Sequence, residues 1–193
     1  MLENLFIIFA PGLGGNHLAN LIALSNRFNR KCDLSGYKPG IENAHVSNLA
    51  NLQEEKLLTN LSELQNQSNV LCGHIAEYLW IQDKNIDKFF TNRKFLIISF
   101  PEKNSIAYQR LIKLCPHLIN DYWFYEQSSL YSQKHIEKLF DEHDFFNLSA
   151  ENIITENVNG IVDFIKSELC TDINVSLATE LHNVWYPSIT SSI

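Results

Sequence analysis

The sequence predicts an α/β fold: three layers, with a mostly parallel sheet flanked by helices, in a single domain over residues 1–193. Two observations carry this reading. Short apolar runs at Leu5 to Ala10, Asn69 to Cys72 and Lys94 to Phe100 are the length of buried strands. Stretches of helical periodicity separate them, the pattern that gives parallel strands joined by helical crossovers. A chain of 193 residues with 45% hydrophobic content is long enough for one sizeable core.

Taken in order, Leu5 to Ala10 ends at Pro11-Gly12, and Asn16 to Arg27 then places Leu18, Leu21, Ile22 and Leu24 on a helical face. Asn29 to Glu42, with Ser35-Gly36 and Pro39-Gly40, reads as a loop, and Leu52 to Gln65 as a helix through Leu57, Leu58, Leu61 and Leu64. Asn69 to Cys72 is the second strand, closed by Gly73-His74, with helix or turn over Ile75 to Trp80. KFLIISF, ending at Pro101, is the most strand-like segment and is expected at the centre of the sheet. Beyond Glu102 the pattern is largely helical: Ser105 to Leu114, Tyr122 to Phe140 with a break, Val158 to Leu169 and Leu177 to Trp185. A short strand is expected at Asp144 to Leu148, ahead of a helix start at Ser149.

The composition excludes several classes. A net charge of −7 opposes general nucleic-acid binding, which needs clustered Lys and Arg. No apolar run approaches a membrane span, and the N-terminal run carries Glu3 without a basic flank, so a non-membrane, cytoplasmic protein is expected. Cys32, Cys72, Cys115 and Cys170 show no paired spacing, so thiols are expected rather than a zinc site or a disulfide framework.

The segment with chemistry in it is Ala10-Pro-Gly-Leu-Gly-Gly-Asn-His17. Gly12, Gly14 and Gly15 let the chain curl its N–H groups inward, and the helix start adds the positive end of its dipole, which suits a phosphate or sulfate. The same glycines also suit a tight strand-to-helix connection in which they only allow close packing. Against G-x-x-x-x-G-K-[ST], Asn16 stands in the lysine's place and His17 in the hydroxyl's. Ordinary magnesium-dependent nucleotide hydrolysis is therefore poorly supported, and no metal is expected.

Strand, Pro-Gly-x-Gly-Gly-Asn-x-Leu, helix, then a strand ending in Gly73-His74 resembles the sulfotransferase branch of the P-loop NTPase-like proteins, including small divergent members from phages and marine bacteria. The resemblance implies transfer of a sulfuryl group from 3′-phosphoadenosine 5′-phosphosulfate, without a metal, to a hydroxyl acceptor on a small molecule or glycan. It implies that Pro11, Gly12, Gly14, Gly15, Asn16 and His17 lie on the 5′ phosphosulfate. His74 would be the base, a role open to an imidazole side chain. The family's 3′-phosphate site follows a strand as Arg-x-Pro with a later serine. Pro101 is kept here, but Ser99 stands for the arginine and Ala107 for the serine, leaving Lys103, Ser105 or Arg110 as substitutes. A degenerate protein that binds without turnover, and a nucleotide or small-molecule kinase with an altered loop, are the alternatives. His45 and the cluster Tyr122-Trp123-Phe124-Tyr125 read first as surface and core residues, and only second as pocket walls.

Overall fold

A computed structural model describes residues 3–25, 27–28, 65, 68–114, 116, 120–141, 144–155 and 157–190. The expected loop at 29–42, the expected helix at 52–65, and His45, Cys32, Cys115, His117 and His143 lie outside the described residues or almost wholly so.

Among the described residues four strands form one sheet: β1 (Asn4–Ile8), β2 (Asn69–Gly73), β3 (Arg93–Ser99) and β4 (Phe145–Ser149). Their order is β2-β1-β3-β4 and every pairing is parallel. The three short apolar runs are the three strands β1 to β3, and β1 and β2 are buried along their whole length, as parallel strands covered on both faces must be. The weaker fourth signal is the edge strand β4.

Among the described residues the helices are α1 (Gly15–Ala23), α2 (Ile75–Asp83), α3 (Ile106–Leu114), α4 (Asp121–Leu130), α5 (Gln133–Phe140), α6 (Ala150–Ile153), α7 (Asn159–Ser167) and α8 (Val175–Thr190). The break expected in 122–140 falls at Tyr131-Ser132, where the Ser132 hydroxyl caps α5 by accepting from the His135 N–H.

Side-chain alternation along the strands sorts the core. Phe6 of β1 meets Tyr78 of α2 edge-on at 5.3 Å, and Phe95 of β3 stacks on Phe140 of α5 at 5.0 Å, so α2 and α5 share a face. Tyr78, although fully buried, sets its hydroxyl 3.1 Å from the Ile7 carbonyl and 3.2 Å from that of Leu71, which satisfies it. At the amino edge, Glu3 pairs with both Arg27 and Lys94, tying the end of α1 to the starts of β1 and β3.

The strand order fixes where loops meet. The chain leaves β1 toward β2 on one side, and leaves β3 toward β4 on the other. The crevice between the carboxyl ends of β1 and β3 is thus the topological switch point, the place where open α/β sheets take ligands. Both loops singled out in the sequence, the glycine turn after β1 and Pro101 to Ser105 after β3, flank it.

Candidate functional site

The turn after β1 runs Phe9 to Gly14. Leu13 is buried and donates its N–H to the Ala10 carbonyl at 3.2 Å, closing the curl. Gly12 and Gly14 stand at φ 85° and 79°, a region glycine enters without strain, and Gly14 caps α1. The first N–H inside the helix ladder is that of Leu18, bonded to the Gly14 carbonyl at 3.0 Å. The backbone N–H groups of Gly15, Asn16 and His17 therefore lie in the first turn, outside that ladder.

The glycines also pack closely. A Cβ on Gly14 would sit 2.9 Å from Ile153 of α6 and 3.1 Å from the Trp185 ring of α8, and one on Gly15 would overlap the Phe9 ring. Gly15 is buried inside α1 rather than open in the turn, so its absent side chain serves packing first. The exposed part of the curl is Pro11, with Gly12, Gly14 and Asn16 half-buried. Asn16 accepts the Cys72 thiol on its Oδ1 at 2.8 Å, which turns its carboxamide oxygen toward β2.

His17 is placed differently from the expectation. It is 1% exposed, stacked on Trp185 at 3.9 Å with the rings 4° from parallel, and it faces α8 rather than the turn. Its Nε2 lies 3.0 Å from His182 Nδ1, and His182 Nε2 lies 2.7 Å from the Thr155 carbonyl. A carbonyl only accepts, so His182 carries its proton on Nε2, leaves Nδ1 as acceptor, and receives the Nε2 proton of His17. Both rings are neutral in this chain. Burial, then the neighbouring His182 and Arg110, hold His17 well below the usual imidazole range. Burial lowers His182 too, against the opposing bond to Thr155. A neutral, buried His17 offers no charge to an anion, which removes its side chain from the cradle.

This pair has a consequence for stability. Below the ordinary imidazole pKa of about 6.5, the unfolded chain takes up protons that the folded pair refuses, so the unfolded state gains. Stability is complete above that pH and falls as the pH drops through the window beneath it, with a slope of about 1.4 kcal/mol per pH unit for each histidine that stays neutral. Urea unfolding between pH 7.5 and 5 should show the decline, and His182→Gln should flatten it.

His74 closes β2 and begins α2. Phe9 and His74 are locked together: Phe9 donates its N–H to the Gly73 carbonyl at 3.2 Å, its own carbonyl accepts from His74 Nδ1 at 2.7 Å, and the two rings meet edge to face at 4.9 Å. Since Nδ1 carries the hydrogen, the lone pair is on Nε2, the tautomer a base requires. The His74 N–H donates to Glu77 at 2.7 Å, so the residue is also a helix cap. His74 thus adjoins the glycine turn directly.

The loop after β3 is committed elsewhere. The Ser105 hydroxyl accepts from the Tyr108 N–H at 3.1 Å, capping α3, and also bonds the Glu151 carboxylate. That carboxylate takes the Glu102 N–H at 2.8 Å and the Ser149 hydroxyl as well. Lys103 is exposed and lies 5.9 Å over the Phe124 ring, with the aromatic cluster of α4. Of the substitutes weighed for an anion-binding cation, Arg110 is the one drawn toward the turn: its guanidinium lies 5.3 Å over Trp185, the ring that touches Gly14.

Among the described residues, no group of three or more His, Cys, Asp or Glu side chains is placed to hold a metal ion, and no helix is long and apolar enough to cross a membrane. Comparison with protein-family models, curated proteins and solved structures finds no match to this chain.

Proposed function

We propose that this is a sulfotransferase-like protein that receives the sulfuryl-bearing 5′ end of an adenosine phosphosulfate donor at Pro11 to Asn16 and passes the sulfuryl group to a hydroxyl acceptor. The observation that carries the reading is the lock between His74 and the glycine turn, in which Phe9 holds Nδ1 and leaves the basic lone pair on Nε2 at the carboxyl end of β2, the strand next to β1. The turn fits the 5′ end through backbone: two left-handed glycines and the first-turn N–H groups of α1 suit a tetrahedral anion without a side-chain cation. The donor, when bound, supplies a sulfur atom whose bond to phosphate oxygen breaks as the acceptor oxygen bonds to it. His74 takes the acceptor's proton on Nε2, and Phe9 keeps the ring from turning.

The test is ligand-dependent stabilisation in the presence of a chelator. Adenosine 5′-phosphosulfate should raise the melting temperature without magnesium, and Gly12→Ala, which strains the left-handed curl, should abolish most of that shift while the protein stays folded. His74→Gln should retain binding and lose transfer. Stabilisation by ATP that requires magnesium would instead identify a kinase, and overturn the reading. A second reading, a protein that binds the same anion without turnover, is favoured by the double duty of His74 as helix cap; binding without any conversion of the phosphosulfate to the nucleotide monophosphate, with hydroxyl acceptors present, would support it.

A further inference from the structure

The Glu151 carboxylate occupies donors of the loop after β3, one of the two loops that flank the switch point. Glu151 belongs to α6, a single turn that follows β4 and lies across the carboxyl edge of the sheet. Ile153 of this turn packs against the Gly14 position, and Glu151, two residues earlier and about 3 Å back along the axis, reaches the loop after β3. Its carboxylate accepts from the Glu102 N–H at 2.8 Å and from the hydroxyls of Ser149 and Ser105. Those loop donors, with the serine hydroxyl, are the groups a phosphate at this place would use. Burial acts to raise the Glu151 pKa, but the bonds from Ser149, Glu102 and Ser105 prevail and hold it below the usual carboxylate range, so the group is an anion at neutral pH. The loop is already filled by a negative charge from within the chain.

We infer that the site selects a nucleotide bearing a single anionic end, at the 5′ position, with its 3′ hydroxyl unesterified. This rests on the proposed seating of the 5′ end at the glycine turn. A ligand that reaches from the glycine turn across the switch point comes to the loop after β3, whose donors Glu151 holds. A 3′-phosphate would meet Glu151 where an arginine fork would be needed, and two like charges brought together oppose binding. Dinucleotide-binding folds make a comparable choice with an acidic residue that accepts a free ribose hydroxyl and rejects its phosphate ester. Of the nearby cations, Lys103 lies 5.9 Å over the Phe124 ring and Arg110 lies 5.3 Å over the Trp185 ring.

The experiment compares adenosine 5′-monophosphate with adenosine 3′,5′-bisphosphate by isothermal titration, in chelator, on the full chain and on Glu151→Gln. The wild-type protein should bind the monophosphate at least roughly tenfold more tightly. Glu151→Gln, which keeps the shape and removes the charge, should bring the two affinities within about threefold, mainly by improving the bisphosphate. Equal affinities in the wild type, or tighter binding of the bisphosphate, overturn the inference and leave the glycine-turn reading standing. If neither nucleotide binds, the glycine-turn reading itself fails, and this inference with it. The wild-type comparison decides the matter even if the variant does not fold.

Discussion

Gly15→Ala should destabilise the protein by about 2 kcal/mol, although alanine is the better helix former. In an open helix the exchange stabilises by roughly 1 kcal/mol, because glycine gives up more backbone freedom on folding. Here the added methyl overlaps the Phe9 ring down to the atom that joins the ring to its stem, so rotating the far end of the side chain relieves nothing. Phe9 itself cannot retreat: its backbone N–H and carbonyl are both bonded at the end of β2, and its ring is 4% exposed. Overpacking of this kind costs about 1 to 3 kcal/mol, sometimes more, and exceeds the propensity gain. Gly160 in α7 is the control. A Cβ there meets nothing within 4 Å, so Gly160→Ala should stabilise by up to about 1 kcal/mol. Urea denaturation of both variants, with the slope unchanged and the midpoints moving in opposite directions, would establish that Gly15 is required for packing. A Gly15→Ala protein as stable as wild type would mean that the close approach of Phe9 is not maintained in solution.

That distinction matters because glycine spacing alone does not separate a cradle from a tight connection. The sequence carried both readings for Gly12, Gly14 and Gly15, and the structure divides them by position. Gly12 and Gly14 need the left-handed backbone, and Gly15 needs the absent side chain. No local signal encodes the difference, since it depends on Phe9, Ile153 and Trp185, the last of them far beyond Gly14 in the chain.

What was legible follows from physics that is local. KFLIISF reads as a strand because a parallel strand covered on both faces is apolar throughout, and β3 occupies Arg93–Ser99. The helix start at Ser149 was visible in its capping hydroxyl, and Ser149 accepts from the Glu151 N–H at 3.2 Å. What was not legible depends on distant partners. Glu151 reads as an ordinary first-turn acid, and only the pairing of β3 with β4 brings it to Glu102 and Ser105. His17 stood in a phosphate loop by motif alignment, but the helical phase of α1 turns it inward. One signal for its partner was present: Ala178, Leu181, His182 and Trp185 are spaced 3, 1 and 3 apart, which is one buried stripe of α8. Helical spacing alone also allows a face of Leu181, Val184 and Trp185, but Val184 is 50% exposed and His182 is 1% exposed. A histidine inside an apolar stripe calls for a buried polar partner, and His17 is that partner.

Trp185→Ala should produce the largest loss, about 3 to 5 kcal/mol, and it should change the acid response as well. The indole is 3% exposed and holds three groups in place: it stacks on His17, abuts the Gly14 position, and underlies the Arg110 guanidinium. Truncation removes the ring's own burial and leaves a cavity bordered by a neutral histidine and a cation, a lining polar enough to admit water. Water would relieve the desolvation that keeps His17 neutral, so its pKa should rise toward the ordinary imidazole value and the decline in stability below pH 6.5 should become shallower. Trp185→Phe keeps an aromatic face over His17 and should lose markedly less, with the acid response intact. Urea unfolding of the three proteins at pH 7.5 and pH 5.5 measures both effects together. A large loss for Trp185→Ala at both pH values, with the same difference between them as in wild type, would show that burial by other groups keeps His17 neutral. The narrowed difference expected here would assign that task to Trp185, and make the C-terminal helix the cover that keeps the first turn of α1 dry on its inner side.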